Sequence, residues 1–468
     1  MIRRVFVTAA GALLGAVGLK AKAQLATPWS VPADAEIRRI LVERIDTQKS
    51  GVGIVVGVTG PTGRRLVSYG VRAPGDAASL DGRTVFEIGS MTKVFTSLLL
   101  AGMVRKGEVA LDDPVAKYLP PDVKVPQRGG KQITLVDLAT HTSGLPSVPP
   151  DFSPGDGDNP YADFTVEKLY AFLGAYELPR DIGALYAYSN IGAGLLGQAL
   201  ARRAGSDYDT LVKRRITGPL GMADTAIRLT PSMRSRLAAP FDGALQPAKN
   251  WDLPTIAGAG ALRSTADDML TFLEAAIGMK PSHLKPAFDD QLKVRRQASP
   301  NMDVALGWHV ARSPRGEIVW HNGRTGGYRS FMAFNPATRE GVVVLTNAAT
   351  LRGGDDIGMH VLAGAPLAPA PPAPVARKVV PLTQAQAEAL VGRYQLAPGV
   401  VVTVTREGSR VFAQLTGQGR AEIYPESPTR VFWKIVDAQA SFELGPDGRA
   451  AQLTLHQNGR NTPAPRMP

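Results

Sequence analysis

Between residues 33 and 47 apolar positions recur at helical spacing, and the stretch reads as an amphipathic helix. Two β-type runs follow, residues 52–58 and 65–69, around the turn Gly60-Pro61-Thr62-Gly63. A helix then opens near Gly89 and continues through Val94, Phe95, Leu98, Leu99, Leu100, Met103 and Val104. It is apolar on most faces, which places it in the core. Residues 111–273 read mostly as helices and long Pro/Gly-rich loops, including residues 146–160. Strand patterns return at residues 304–310, 318–320, 329–334 and 341–345. A sheet formed from both ends of a domain, with helices inserted between, is the plan these elements predict.

Residues 363–381 include Ala-Gly-Ala-Pro-Leu-Ala-Pro-Ala-Pro-Pro-Ala-Pro, too proline-rich for a helix or a central strand and suited to an extended spacer. Beyond it, residues 383–390 read as helix. Alternating stretches at 400–405, 410–416, 431–435, 440–444 and 451–456 then predict a small antiparallel barrel or sandwich. The expected organisation is a leader over 1–23, a main domain over 24–362, a linker over 363–381 and a small β domain over 382–468. The expected fold class is α/β (α+β): an antiparallel sheet flanked by helices, a helical subdomain, and an all-β barrel-like domain after them.

Composition adds size and compartment. At 468 residues, 44% hydrophobic and 20% charged, the chain is long enough for two ordered domains. Arg3 and Arg4 precede an uncharged run over residues 5–19, and Ala21-Lys22-Ala23 follows. These are the three parts of a cleaved secretory signal, and the apolar run is short for a bilayer span. The expected location is therefore periplasmic or secreted, with no stable membrane insertion after cleavage. Losing Arg3, Arg4, Lys20 and Lys22 takes the formal charge from +12 to +8. The remaining Lys and Arg are scattered rather than interleaved with aromatics, so nucleic acid is not an expected partner. The chain has no cysteine and six histidines without an HExxH pattern, so neither thiolate chemistry nor a resident metal is expected. No cofactor is expected. Gly192-Ala193-Gly194-Leu195-Leu196-Gly197 has GxGxxG spacing but follows no strand, which argues against a nucleotide site.

The chemistry-bearing residues fall in three places. Ser90-Met91-Thr92-Lys93 puts a serine and a lysine three apart at the start of the buried helix, on one face. A lysine whose amine loses its charge on burial can activate the serine. Ser282-His283-Leu284-Lys285 has the same spacing but lies between Pro281 and Pro286, on an expected surface connection. Tyr188-Ser189-Asn190 offers a proton carrier and a group able to bind a substrate amide, although Asn190 equally suits the cap of the helix that follows. His321-Asn322-Gly323-Arg324 opens a glycine-rich run where a strand is expected, as an edge lining a cleft requires. Taken alone, His321 suits a structural role better than a functional one.

Together, Ser-X-X-Lys, Tyr-X-Asn and His-X-Gly, separated by 98 and 133 residues, resemble the active-site triplet of the serine β-lactamase and penicillin-binding protein superfamily. The likeness is greatest to class C β-lactamases and related DD-peptidases and esterases. It extends over residues 33–362 through Leu111-Asp112-Asp113-Pro114, Ile133-Thr134-Leu135, the run from Leu138 to Leu145 with His141-Thr142-Ser143-Gly144, Pro219-Leu220-Gly221-Met222 and Ser264-Thr265-Ala266-Asp267-Asp268.

The resemblance implies a helical domain beside an α/β domain with the cleft between them. It makes Ser90 the nucleophile, Lys93 and Tyr188 its proton handlers, and the N–H groups of Ser90 and Arg324 the oxyanion hole. Asn190, His321, Asn322, Gly323 and Arg324 would bind substrate: D-alanyl cell-wall peptides, β-lactams or esters. His321 stands where class C β-lactamases usually carry lysine. A partly charged histidine there makes a D-alanyl-D-alanine peptidase the expected activity, ahead of a β-lactamase, a carboxylesterase, or a catalytically silent cell-wall sensor. The tail resembles small lipocalin-like β domains.

Overall fold

The computed structural model describes residues 29–76, 78–350, 353–369, 377–397, 400–416, 420–433, 438–457 and 460–467. The leader over 1–23 and the middle of the proline-rich spacer lie outside them.

Helix α1, Asp34–Val42, turns Ile37, Ile40 and Leu41 inward. It lies on an antiparallel sheet whose strands, in chain order, are β1 (Gly53–Gly60), β2 (Gly63–Gly70), β3 (Arg296–Ser299), β4 (Met302–Val304), β5 (His309–Ser313), β6 (Gly316–Arg324), β7 (Arg329–Asn335) and β8 (Glu340–Thr346). Their spatial order is β2-β1-β8-β7-β6-β5-β4-β3, so the two ends of the domain meet where β1 pairs β8.

Side-chain alternation along each strand separates two cores. Ile54, Val56, Val58, Phe331, Ala333, Val342 and Val344 pack beneath α1 and helix α5, Asp355–Ala363. On the opposite face Val55, Met332, Phe334, Val343 and Leu345 join the larger core with helix α4, Ala266–Ile277. This core continues around α2, Thr92–Arg105, and α3, Asn190–Arg203. Among the described residues no helix is long and apolar enough to cross a membrane.

The run expected as one strand over 304–310 is two. At Gly307 the chain turns with φ +73°, and a Cβ there would lie 2.8 Å from Lys93 O and 2.7 Å from Ser97 Oγ. Contact with α2 therefore breaks β4 from β5 at a glycine. The strand β3 carries no apolar alternation and was not predictable from pattern; it is the polar outer edge of the sheet.

After α6, Gln384–Leu390, capped by Thr383, eight strands follow as a meander. They are β9 (Gly392–Ala397), β10 (Val400–Glu407), β11 (Arg410–Leu415), β12 (Ala421–Ser427), β13 (Arg430–Phe432), β14 (Ala438–Leu444), β15 (Ala450–Gln457) and β16 (Arg460–Pro465). The barrel nearly closes through the Tyr394–Arg466 bridge and a 2.7 Å hydrogen bond from Met467 N to Arg393 O. Tyr394, Val404, Val411, Val431 and Leu453 fill it. Of the expected 431–435 strand, β13 takes 431–432 and residues 434–435 lie outside the described ones, while β9, β12 and β16 were missed. Proline at 425, 463 and 465 masks two of the three.

Candidate active site

Ser90 sits in a single 3-10 turn, Gly89–Met91, that leads into α2. Gly89 holds φ +48°, and a Cβ on it would come within 2.8 Å of Arg324 N. A Cβ on Gly323 would lie 2.1 Å from Ile88 O. Glycine at both positions lets the end of β6 pass directly beside the turn that carries Ser90. The register with β5 ends at Trp320–His309, so residues 321–324 border the cleft as a local edge, as the glycine-rich sequence predicts. Below the turn, buried Glu87 holds Arg263 Nη2 at 3.1 Å and accepts from Trp251 N and Asn250 Nδ2, tying the strand entering the site to that leaving the helical region.

One helical turn on, Lys93 is buried, and its Nζ lies 2.9 Å from Ser90 Oγ, 2.8 Å from Asn190 Oδ1 and 2.7 Å from Ala259 O. Burial pushes its amine well below the usual lysine range. Two of the three neighbours are carbonyl oxygens, which can only accept. They take the two hydrogens of a neutral amine and leave its lone pair facing Ser90.

Tyr188 completes the group. Its hydroxyl interacts with Ser90, and its ring lies 4.7 Å from Lys93 Nζ. Burial holds the phenol protonated, well above its ordinary range.

Asn190 does not cap α3. Ser189 does, accepting from Gly192 N at 2.7 Å, which frees the Asn190 amide to bind Lys93 and to donate to Ser147 Oγ at 3.2 Å. The glycines of the GxGxxG run serve packing: Cβ atoms on Gly194 and Gly197 would meet Ile256 and Gly258 at 2.4 and 2.9 Å. That close approach brings Ala259 O to Lys93.

His321 departs from the partly charged state expected. Burial, then the neighbouring His309 and Lys93, push it well below the ordinary histidine range. Its Nδ1 lies 2.6 Å from Asn322 O, which only accepts, so Nδ1 carries a hydrogen, and Nε2 is buried without a partner for a second one. The ring stacks on His309 at 5.0 Å, and His309 Nε2 meets Tyr186 OH at 3.1 Å. The His141 ring lies tilted 4.5 Å from that of Tyr188, and its Nδ1 accepts from Ser189 N. Asn322 turns to the other face of β6, donating from Nδ2 to Asp355 Oδ2 at 2.5 Å.

The structure thus brings Ser90, Lys93, Tyr188, Asn190 and His321 together, with Gly323 and the Arg324 backbone against the turn that carries Ser90. Sequence reasoning assigned no role to His141 or His309 and missed Ala259, whose backbone carbonyl leaves no signature in a sequence. The second Ser-X-X-Lys match is elsewhere: Ser282 Oγ accepts from Leu284 N, and Lys285 pairs with Asp289.

Comparison with known proteins bears on the family and the fold. Residues 38–363 match the Beta-lactamase family model, and residues 376–464 match a domain of unknown function (DUF3471). The chain is 33% identical over 318 residues to the D-alanyl-D-alanine-carboxypeptidase/endopeptidase AmpH of Escherichia coli (strain K12), covering 63% of this chain and 81% of that protein. It is 27% identical over 430 residues to penicillin-binding protein 4* of Bacillus subtilis (strain 168), covering 85% and 91%. A β-lactamase/D-alanine carboxypeptidase from Yersinia pestis, solved in complex with citrate, superposes with a TM-score of 0.59 at 27% identity, covering 68% of this chain and 93% of that one. With the fold, the family match and these relatives in agreement, the chain belongs to the β-lactamase family and is a serine hydrolase that works through an acyl-enzyme.

Proposed function

We propose that the chain is an exported D-alanyl-D-alanine peptidase of the penicillin-binding kind, with Ser90 as nucleophile. The observation that carries this reading is the Lys93 amine, buried with two carbonyl acceptors and its lone pair on Ser90 Oγ. Ser90 Oγ bonds to the carbonyl carbon of the penultimate D-alanine while its proton passes to Lys93 Nζ. The C–N bond then breaks as a proton reaches the leaving amine through Tyr188. Water then bonds to the acyl carbon while giving a proton to the same pair, the C–Oγ bond breaks, and that proton returns to Ser90 Oγ as the acid is released. The N–H groups of Ser90 and Arg324 hold the oxyanion; such donors are worth about 3 to 4 kcal/mol to the transition state.

The kinship to AmpH supports a peptide substrate. So does neutral His321, which leaves no permanent cation at the position where class C β-lactamases usually carry lysine. The basic and apolar leader supports export to the periplasm or beyond the cell, and the spacer divides the hydrolase over 24–362 from the barrel over 382–468. The barrel reads as a cover for the enzyme domain: Gln414 Nε2 on β11 donates to Pro150 O at 2.9 Å, in the loop carrying Ser147.

Intact mass spectrometry after brief exposure to a penicillin tests the reading. A lasting adduct on the wild type and none on Ser90→Ala is expected. Rapid drug consumption without an adduct makes the enzyme a β-lactamase. Neither adduct nor consumption moves the substrate class to esters.

A further inference from the structure

Tyr188 stands in a stretch that builds no element of its own: residues 186–189 are in neither helix nor strand. A side chain that passes a proton must be kept within hydrogen-bond reach of the reacting group, so here it has to be held from outside its own segment. One residue does this on three sides. His141 O accepts from Ala187 N at 2.8 Å and His141 Nδ1 accepts from Ser189 N at 3.2 Å, which fixes the backbone immediately before and immediately after Tyr188. The two rings lie 4.5 Å apart, tilted by 36°.

His141 is itself fixed and buried. It follows the short helix Leu135–Ala139, and Thr140 N and Thr142 N, on either side of it, donate to Val136 O and Asp137 O at 3.0 and 2.9 Å. Its φ is +57°, in the left-handed region that residues other than glycine rarely occupy. Such conformations cost free energy and persist where the surroundings enforce them. In this one the carbonyl and the ring of a single residue both reach the 187–189 segment. Nδ1 can accept only while the ring is uncharged, and burial, then Lys93 and His309, hold it so, well below the ordinary histidine range.

We propose that His141 is a positioning residue for Tyr188: it exchanges no proton in the reaction and fixes the phenol where it can serve the leaving group. The inference rests on the reading of Tyr188 as proton carrier.

The test measures acylation of Ser90 by a penicillin, whose leaving amine needs a proton, and by an aryl ester, whose leaving phenol needs one less. His141→Phe keeps a ring and loses the acceptor. It is expected to slow the penicillin reaction by about tenfold to a hundredfold, the cost of misplacing a reacting group by about 1 Å, and the ester reaction by less. His141→Asn carries an acceptor, Oδ1, as many bonds from the backbone as Nδ1 and tolerates the left-handed region, so its loss should stay below about fivefold. In a Tyr188→Phe background, His141→Phe should change neither rate by more than about twofold, because residues that act as a unit are not additive.

Equal losses on both compounds, or losses that multiply with that of Tyr188→Phe, overturn the inference and leave His141 a packing residue. If Tyr188→Phe alone acylates at the wild-type rate, the proton-carrier reading fails and this inference with it; that single variant tells the two failures apart. Should no penicillin acylate the wild type, an alkyl ester takes its place, since a leaving alcohol needs a proton as an amine does. Should His141→Phe not fold, His141→Gly, which suits the left-handed backbone and supplies neither ring nor acceptor, is read by the same comparisons.

Discussion

Lys93 Nζ lies 2.9 Å from Ser90 Oγ, one helical turn away, and its other two neighbours, Asn190 Oδ1 and Ala259 O, are oxygens that only accept. Whichever hydrogens the amine keeps, they are drawn to the two carbonyls, and the remaining direction is the serine. Burial lowers the amine well below the lysine range, which favours the base form, and protonation on the acid side removes it. Lys93→Ala is expected to slow acylation of Ser90 by about 10²- to 10⁴-fold, the usual worth of a positioned general base. The acid limb of the wild-type pH profile should disappear from whatever rate remains. Stopped-flow acylation between pH 4 and 9 measures both; an unchanged rate takes Lys93 out of the mechanism.

Tyr188 interacts with Ser90 and is held protonated by burial. It can donate to a leaving group without first binding a proton. Tyr188→Phe keeps the ring packed against His141 and removes only that donor, so kcat is expected to fall about 10²-fold or more while thermal stability changes little. Because a leaving phenol needs a proton less than a leaving amine does, the loss should be smaller on an aryl ester than on a peptide. Equal losses on both would place Tyr188 elsewhere in the cycle.

The side-chain part of this site was readable because its residues are identified by type and by spacing along one helix or one strand. Ser90 and Lys93 share a helix face, and the glycines of residues 321–327 announce a close approach. What sequence could not supply depends on pairs distant along the chain. Ala259 reaches Lys93 only because Gly194 and Gly197 let α3 and the 256–260 turn close up. His321 looked half-charged because its type suggests a pKa near neutrality, whereas its burial against His309 and Lys93 decides the matter. The barrel strands that escaped detection carry proline or lack a continuous apolar face, so alternation alone understated their number.

Close backbone contact at Gly323 predicts a steric lesion. In Gly323→Ala the new Cβ would lie 2.1 Å from Ile88 O and 2.4 Å from Ser330 Oγ. Ser330 Oγ already donates to Ile88 O at 2.7 Å, so neither neighbour can retreat independently. The strand must move away from the nucleophile turn, at a cost of about 1 to 3 kcal/mol, and acylation is expected to fall at least tenfold. Gly102→Ala is the control: in α2 a Cβ there meets nothing within 4 Å, so stability should rise by about 0.5 to 1 kcal/mol. Urea titration of both variants, with acylation rates, checks the contrast; full activity in Gly323→Ala would mean the strand has slack.

The stacked histidines make the fold acid-sensitive in a definite window. Burial, then the charge of Lys93, pushes His309 from 6.5 down to about 4. Between these values an unfolded chain binds a proton at this position that the folded chain refuses. Stability therefore falls as pH drops from 6.5 to 4 and stops falling from this source below 4, with a total of about 3 kcal/mol. Asp268 works in the opposite sense, because burial raises it from 3.8 to about 6, so the folded state gains relative stability as it protonates. Comparing wild type with His309→Phe cancels that term, since Asp268 is common to both. The phenylalanine keeps an aromatic ring between Trp320 and His321 and loses the bond to Tyr186 OH, so some stability is lost at every pH. The difference between the two proteins should nevertheless shrink by about 3 kcal/mol on going from pH 7 to pH 4, measured by urea unfolding at each pH. A difference that stays constant across the window would mean His309 titrates with the same affinity folded and unfolded, and the histidine stack would then have no part in acid sensitivity.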